Sequence, residues 1–207
     1  MELFNQNILL YLAAYLLSSI PFGYLLAKKF AGVDVKQAGS GNIGATNVLR
    51  VVKETNPKLA KKLGAATLFL DAAKGIVVIL IAKMLGAPEG VLWTLAVLAV
   101  TGHCFSPFLL FEGGKGVATG FGVLLVMMPV PALIAIATWI AASKGLKIVS
   151  ISSLIGLAAF IIASYIMYPD IPGISTHAPI WIIGFIIFYK HIPNIIRLFN
   201  KEESRVA

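Results

Sequence analysis

Apolar runs of about twenty residues, parted by short polar loops, recur along the whole chain. Twenty such residues at ~1.5 Å each match the ~30 Å hydrocarbon thickness of a bilayer. No motif constrains the fold as strongly. A backbone surrounded by lipid tails must satisfy its own N–H and C=O groups, so runs of this length are helices. They fall at residues 7–27, 63–85, 91–111, 117–128, 131–142, 148–168 and 180–199. The fourth and fifth are short and cross only if their flanks contribute. Composition agrees: 58% of residues are hydrophobic and 13% charged, about half the charged share of a soluble domain. The expectation is an all-α polytopic membrane protein, with seven transmembrane helices in one domain over residues 1–207.

The loops decide orientation. Of 17 basic residues, all but Lys74 and Lys83 fall on or near one face of a seven-span bundle, from Lys28 and Lys29 through Lys115 to Lys201 and Arg205. The other face offers Glu2, Glu89 and Asp170, with Lys83 the one base close to it. The positive-inside rule then makes the basic face cytoplasmic, the N-terminus external and the C-terminus cytoplasmic. A net charge of +8 sited in short loops answers to topology and anionic lipid, so no nucleic acid is expected. The first segment lacks a basic n-region and a small-residue cleavage site, and reads as a retained span. Cys104 stands alone, which excludes a disulfide within the chain.

Within the longest polar connection lies Gly39-Ser-Gly-Asn-Ile-Gly-Ala-Thr-Asn-Val-Leu-Arg50. Backbone N–H groups freed by Gly39, Gly41 and Gly44 form a concave anion nest, flanked by Ser40, Asn42, Thr46 and Asn47, and Arg50 closes a fork on phosphate oxygens. The plain alternative is a glycine-rich turn between helices. The letters also satisfy G-x-G-x-x-G, but a dinucleotide site needs a strand before and a βαβ unit around it, and neither is here. A second loop, Gly113-Gly-Lys-Gly116, looks like half a P-loop. Leu109 and Gly116 stand where the full motif needs Gly and Ser or Thr, so a Walker A is rejected. Lys115 between Gly113, Gly114 and Gly116 still suits a phosphate dianion. The alternative is a basic loop that obeys topology alone.

Two further clusters fall on the same expected face. Ser150 and Ser153 are three apart at the start of the sixth span, as helix caps or as ligand contacts. His191, Asn194 and Arg197 form a polar stripe on the last span, where ionisable groups face a bundle interior or a wet cavity. Asp71 and Lys74, three apart inside the second span, read as a local ion pair or a site pair, since either alone costs ~2.5–3.5 kcal/mol at helix centre. His103 reads as a satisfied core histidine. No metal site has enough ligands. His103, His177 and His191 are followed five positions on by Phe108, Ile182 and Ile196, which excludes the H-x₄-D dyad of the better-known glycerolipid acyltransferases. No D-x-x-D-G run marks a CDP-alcohol phosphotransferase. Two classes remain on these residues: an enzyme using two anion sites, and a multi-pass transporter of an organic phosphate.

Residues 19–24, 39–50, 70–75, 102–119, 149–153 and 191–198 resemble, in order along nearly the whole chain, the bacterial acyl-phosphate:glycerol-3-phosphate acyltransferases. The GSGNIGATN and GGKGVAT blocks are the specific part of the match. The resemblance implies a seven-span inner-membrane enzyme with a cytoplasmic active site and no cofactor. It would move a fatty acyl group from acyl phosphate to the sn-1 hydroxyl of glycerol 3-phosphate, giving lysophosphatidic acid and phosphate. Carried over by position, the substrate contacts fall on Ser40, Arg50, Lys115, Ser153, His191 and Asn194, with the glycines of both loops as the anion cradle. The expected partners are glycerol 3-phosphate, acyl phosphate and membrane lipid; a monomer is compatible with all of this. One departure stands out: the family usually has an acidic residue just before the last asparagine, and here it is Pro193.

Overall fold

The computed structural model describes residues 2–204, with side chains from residue 7 onward; the Glu2 side chain and Arg205, used in the charge pattern above, lie outside the described residues. Helices run over Glu2–Ser18 (α1), Phe22–Ala31 (α2), Ala45–Lys53 (α3), Pro57–Met84 (α4), Glu89–Cys104 (α5), Val117–Met127 (α6), Pro129–Leu146 (α7), Val149–Met167 (α8) and Ala178–Phe199 (α9). Pro107–Leu109 adds one 3₁₀ turn, and no strand occurs among the described residues.

Among the described residues, six stretches are long and apolar enough to cross a membrane: Asn7–Ala31, Pro57–Met84, Glu89–Leu109, Pro129–Leu146, Val149–Met167 and Ala178–Phe199. The expected fourth span is the exception. α6 has 11 residues, and at ~1.5 Å each it falls well short of ~30 Å. Its bounds have local causes. Gly116 enters it at φ +82°, a left-handed turn that side chains resist, and Pro129 opens α7 directly after Met128. The expected fifth span gains both its flanks and becomes the 18-residue α7.

The first span breaks in two at residues 19–21, where Pro21 has no N–H to give. The carbonyls this frees are buried and find new donors. Ser106 Oγ donates to Ser19 O at 2.7 Å, and Lys74 Nζ to Ile20 O at 3.0 Å. α4 begins earlier than its apolar run because Asn56 caps it, accepting from Leu59 N at 3.0 Å, with Pro57 in the first turn. Lys58, Lys61 and Lys62 are therefore exposed on its first turns rather than in a loop.

Lipid tails supply no hydrophobic drive between spans, so close approach has to hold them. A Cβ on Gly122 of α6 would strike the Ala72 carbonyl of α4, and one on Gly102 of α5 the Tyr15 carbonyl of α1. One apolar core, with Ile79, Trp93, Leu95, Val123, Ile180 and Ile183, joins α4, α5, α6 and α9. A smaller one, with Ala27, Val35, Ile43, Val48, Val52 and Leu63, seats α3 and the loop before it against α2 and α4. Phe69, Ile162, Ile166 and Phe185 point outward, as an apolar solvent requires.

Candidate active site

The first glycine loop is built around Asn47, which is 2% exposed. Its amide Nδ2 faces the carbonyls of Val35, Ala38 and Asn42 at 2.8–3.1 Å, and its Oδ1 accepts from Ser40 N at 2.8 Å. Asn42 Oδ1 accepts from Gly44 N at 2.9 Å, and Gly41 N donates to Ala38 O. These bonds take Ser40, Gly41 and Gly44 out of the expected nest of bare N–H groups, while Gly39 N has no partner among the described residues. Asn47 and Asn42 shape the loop with their side chains. Further uncommitted donors lie one step on, in the first turn of α3, where Ala45 and Thr46 have no partner within the helix. Arg50 sits one turn further along the same helix.

The second loop follows the same plan. Gly113 N donates to Cys104 O at 3.1 Å and Gly114 N to His103 O at 3.0 Å, so these two also hold the loop in place. Gly116 then opens α6, whose first N–H groups at Val117 and Ala118 are free. α8 begins at Val149, presenting Ser150 and Ser153.

All three helix starts meet in one cavity of about 470 Å³. Gly44, Ala45 and Thr46 line it from α3, Gly116, Val117 and Ala118 from α6, and Val149 and Ser150 from α8. Each N-terminus carries about half a positive charge, so their convergence favours an anion before any side chain is counted. Ser40, Arg50, Lys115, Ser153, His191, Asn194 and Arg197 line the same cavity, as do Gly39, Asn42 and Asn47. Gly41, Gly113 and Gly114 do not; they form the loops beneath. Burial lowers the Lys115 pKa to about 8, with Glu203 opposing the shift and Arg197 and Arg50 adding to it.

On α9, His191 Nδ1 lies 2.7 Å from Ile187 O. A carbonyl only accepts, so Nδ1 carries the hydrogen and Nε2 keeps a lone pair. Asn194 Oδ1 is buried and has no donor among the described residues. Ser153 Oγ donates to Val149 O at 2.9 Å and accepts from Trp139 Nε1 at 3.3 Å. Among the described residues no serine hydroxyl is hydrogen-bonded to a histidine.

The sequence reading missed Glu203. Its carboxylate accepts from Ser150 Oγ at 2.7 Å, Asn194 Nδ2 at 2.6 Å and Arg197 Nε at 2.9 Å. Burial pushes its pKa up, but these three donors outweigh burial and hold it below the ordinary range. Where the chain has Pro193 beside Asn194, a carboxylate thus reaches that asparagine from nine residues further on. The only signal in the sequence is an acidic pair, Glu202 and Glu203, closing a basic stretch. Ser204 also faces the site, accepting from Arg50 Nη2 at 2.6 Å.

The Asp71–Lys74 pair is present at 2.8 Å, as the local-bridge reading expects. His103 departs from expectation. Its Nδ1 is buried 3.6 Å from Asp71 Oδ1 without a hydrogen bond, and both residues reach the cavity wall. A second cavity of about 200 Å³ adjoins the first, sharing Leu68, Val117, Ala118, Trp139 and Ser153 with it. It runs between α6, α7 and α8 and is lined almost wholly by apolar groups, including Ala135, Leu124 and Phe160.

Residues 8–201 match the family model described as glycerol-3-phosphate acyltransferase. A glycerol-3-phosphate acyltransferase of Sulfurimonas denitrificans is 61% identical over 205 residues, covering 99% of this chain and 98% of the relative. One of Campylobacter jejuni subsp. jejuni is 56% identical over 201 residues, covering 97% and 99%. A crystal structure of PlsY, an integral membrane glycerol 3-phosphate acyltransferase, in its glycerol 3-phosphate form superposes with TM-score 0.86 at 35% identity, covering 98% of this chain and 96% of the other. Its lysophosphatidic acid form superposes with TM-score 0.83.

Proposed function

Since the chain belongs to the glycerol-3-phosphate acyltransferase family, we propose that it transfers a fatty acyl group from acyl phosphate to the sn-1 hydroxyl of glycerol 3-phosphate, releasing phosphate and lysophosphatidic acid. Membership decides between the two classes the sequence left open, and the carrier reading has no observation in its favour. One observation supports the finer reading: a polar, anion-favouring cavity adjoins an apolar one and shares five lining residues with it. A fatty acyl phosphate has the same two halves, and their junction is the carbonyl under attack. Ser153 and Trp139 stand at that junction.

Acyl phosphate is a mixed anhydride with a good leaving group, so the reaction needs positioning and charge stabilisation more than a strong base. Arg50, Lys115 and the three helix starts hold the two phosphates. Asn194 Oδ1 takes a substrate hydroxyl as its missing donor. The hydroxyl oxygen attacks the acyl carbon, the carbon–oxygen bond to phosphate breaks, and the hydroxyl proton passes to the donor's phosphate, with His191 Nε2 the rival acceptor. No acyl-enzyme is formed, since an activated serine needs a histidine partner that these serines lack. The basic loops support a site at the cytoplasmic face of a bacterial inner membrane. The test is turnover by pure protein in detergent, with acyl phosphate, acyl-CoA and acyl carrier protein offered as donors. Product from acyl phosphate alone is expected, and equal use of a thioester donor overturns the assignment.

A further inference from the structure

Asp71, Lys74 and His103 are buried at 2%, 8% and 4% exposure inside the bundle, and the reaction above uses none of them. Charged groups at such depth are costly, and a mutual bridge explains how the pair is tolerated rather than what it is for. Their other contacts supply the purpose.

The His103 ring lies between Asp71 and the second glycine loop. Nδ1 faces Asp71 Oδ1 at 3.6 Å. The opposite edge supports Gly114 so closely that a Cβ there would overlap Nε2. The backbone locks the same contact, through Gly114 N to His103 O and Gly113 N to Cys104 O. On the far side of the loop, Thr119 Oγ1 donates to the Asp71 carbonyl at 2.8 Å, tying the first turn of α6 to the same residue. Lys74 extends the assembly to the first span, where it meets Ile20 O at 3.0 Å. Four elements therefore converge on Asp71, and residues 113–116 are gripped from before and after. Lys115 rides on that loop with its charge in the cavity.

We propose that Asp71, Lys74 and His103 are positioning residues: a buried ionic brace that sets the glycine loop and, through it, the place of the Lys115 ammonium against substrate phosphate. The brace rests on the reaction proposed above. A side chain acting only through Lys115 loses its effect once Lys115 is gone, whereas one that merely stabilises the bundle does not.

The test is a double-mutant cycle of His103→Ala with Lys115→Ala on the full-length protein in detergent. His103→Ala should lower kcat/KM on the order of 30-fold in the native background and less than about threefold in the Lys115→Ala background, a coupling at the strong end for contacting residues. Equal factors in both backgrounds, with or without a lower thermal midpoint, overturn the brace. If His103→Ala does not purify as a folded protein, His103→Asn enters the same cycle and the same two outcomes decide. If the native protein makes no lysophosphatidic acid, the reaction falls separately. The cycle is then read as affinity for inorganic phosphate: coupled losses uphold the brace and independent ones refute it.

Discussion

The protonation of Lys115 falls within reach of ordinary assay pH, because burial brings its pKa down to about 8. If the charged form holds substrate phosphate, kcat/KM should fall as pH rises through about 8, whereas an exposed lysine would hold its proton well beyond that. Arginine keeps its charge throughout, so Lys115→Arg, where active, should lose this alkaline limb. A pH–rate profile from pH 6 to 10 on both proteins checks it; an unchanged limb in the variant assigns the limb to another group. Glu203 behaves oppositely. Its three donors keep it ionised through this range, so Asn194 and Arg197 remain oriented while Lys115 titrates. Glu203 and Asn47 mark two limits of reading a site from a sequence. The first acts on partners brought near only by folding. The second reads as a ligand contact by type, and the backbone around it takes up its whole hydrogen-bonding capacity.

At the scale of elements, the glycine segments matter less for their own N–H groups than for the helices they launch. α3, α6 and α8 each direct a first turn at the cavity, and α6 does so by being too short to cross. Its place is fixed sideways by α4: a Cβ on Gly122 would strike Ala72 O, and one on Gly75 would stand only 2.9 Å from Thr119 O. Gly122→Val has no space to occupy without moving one helix from the other. The expected result is a fall of several degrees in the thermal midpoint in detergent, together with loss of turnover, since the start of α6 is one of the three helix starts at the cavity. A variant with native midpoint and turnover would show that α4 and α6 need not pack so closely.

For the molecule as a whole, the decisive arrangement is one wet cavity meeting one apolar cavity inside a single bundle. The apolar part runs from Trp139 to Ala132 along α7, two turns or ~10 Å. Under the proposed reaction, a fatty chain longer than that has to continue between helices toward lipid. Ala135→Phe partly fills this space and should lower kcat/KM for hexadecanoyl phosphate about tenfold while sparing a short-chain donor, a loss typical of overfilling a packed apolar site. Competition between the two donors measures it, and equal loss on both would place the chain elsewhere. The amino-acid sequence by itself determined the solvent, since apolar runs of membrane length leave only helices; its basic loops and two glycine-and-cation segments set the expectation of a cytoplasmic face and of anions. These are local or periodic properties, written within a few residues of one another. Only the tertiary structure decided that α6 stops short, that Glu203 returns to Asn194, that Gly41, Gly44, Gly113 and Gly114 spend their N–H groups inside the loops, and that His103 packs against Gly114. Each of those depends on residues far apart in the chain, or on which hydrogen bonds the backbone has already used, and neither is settled until the spans have packed.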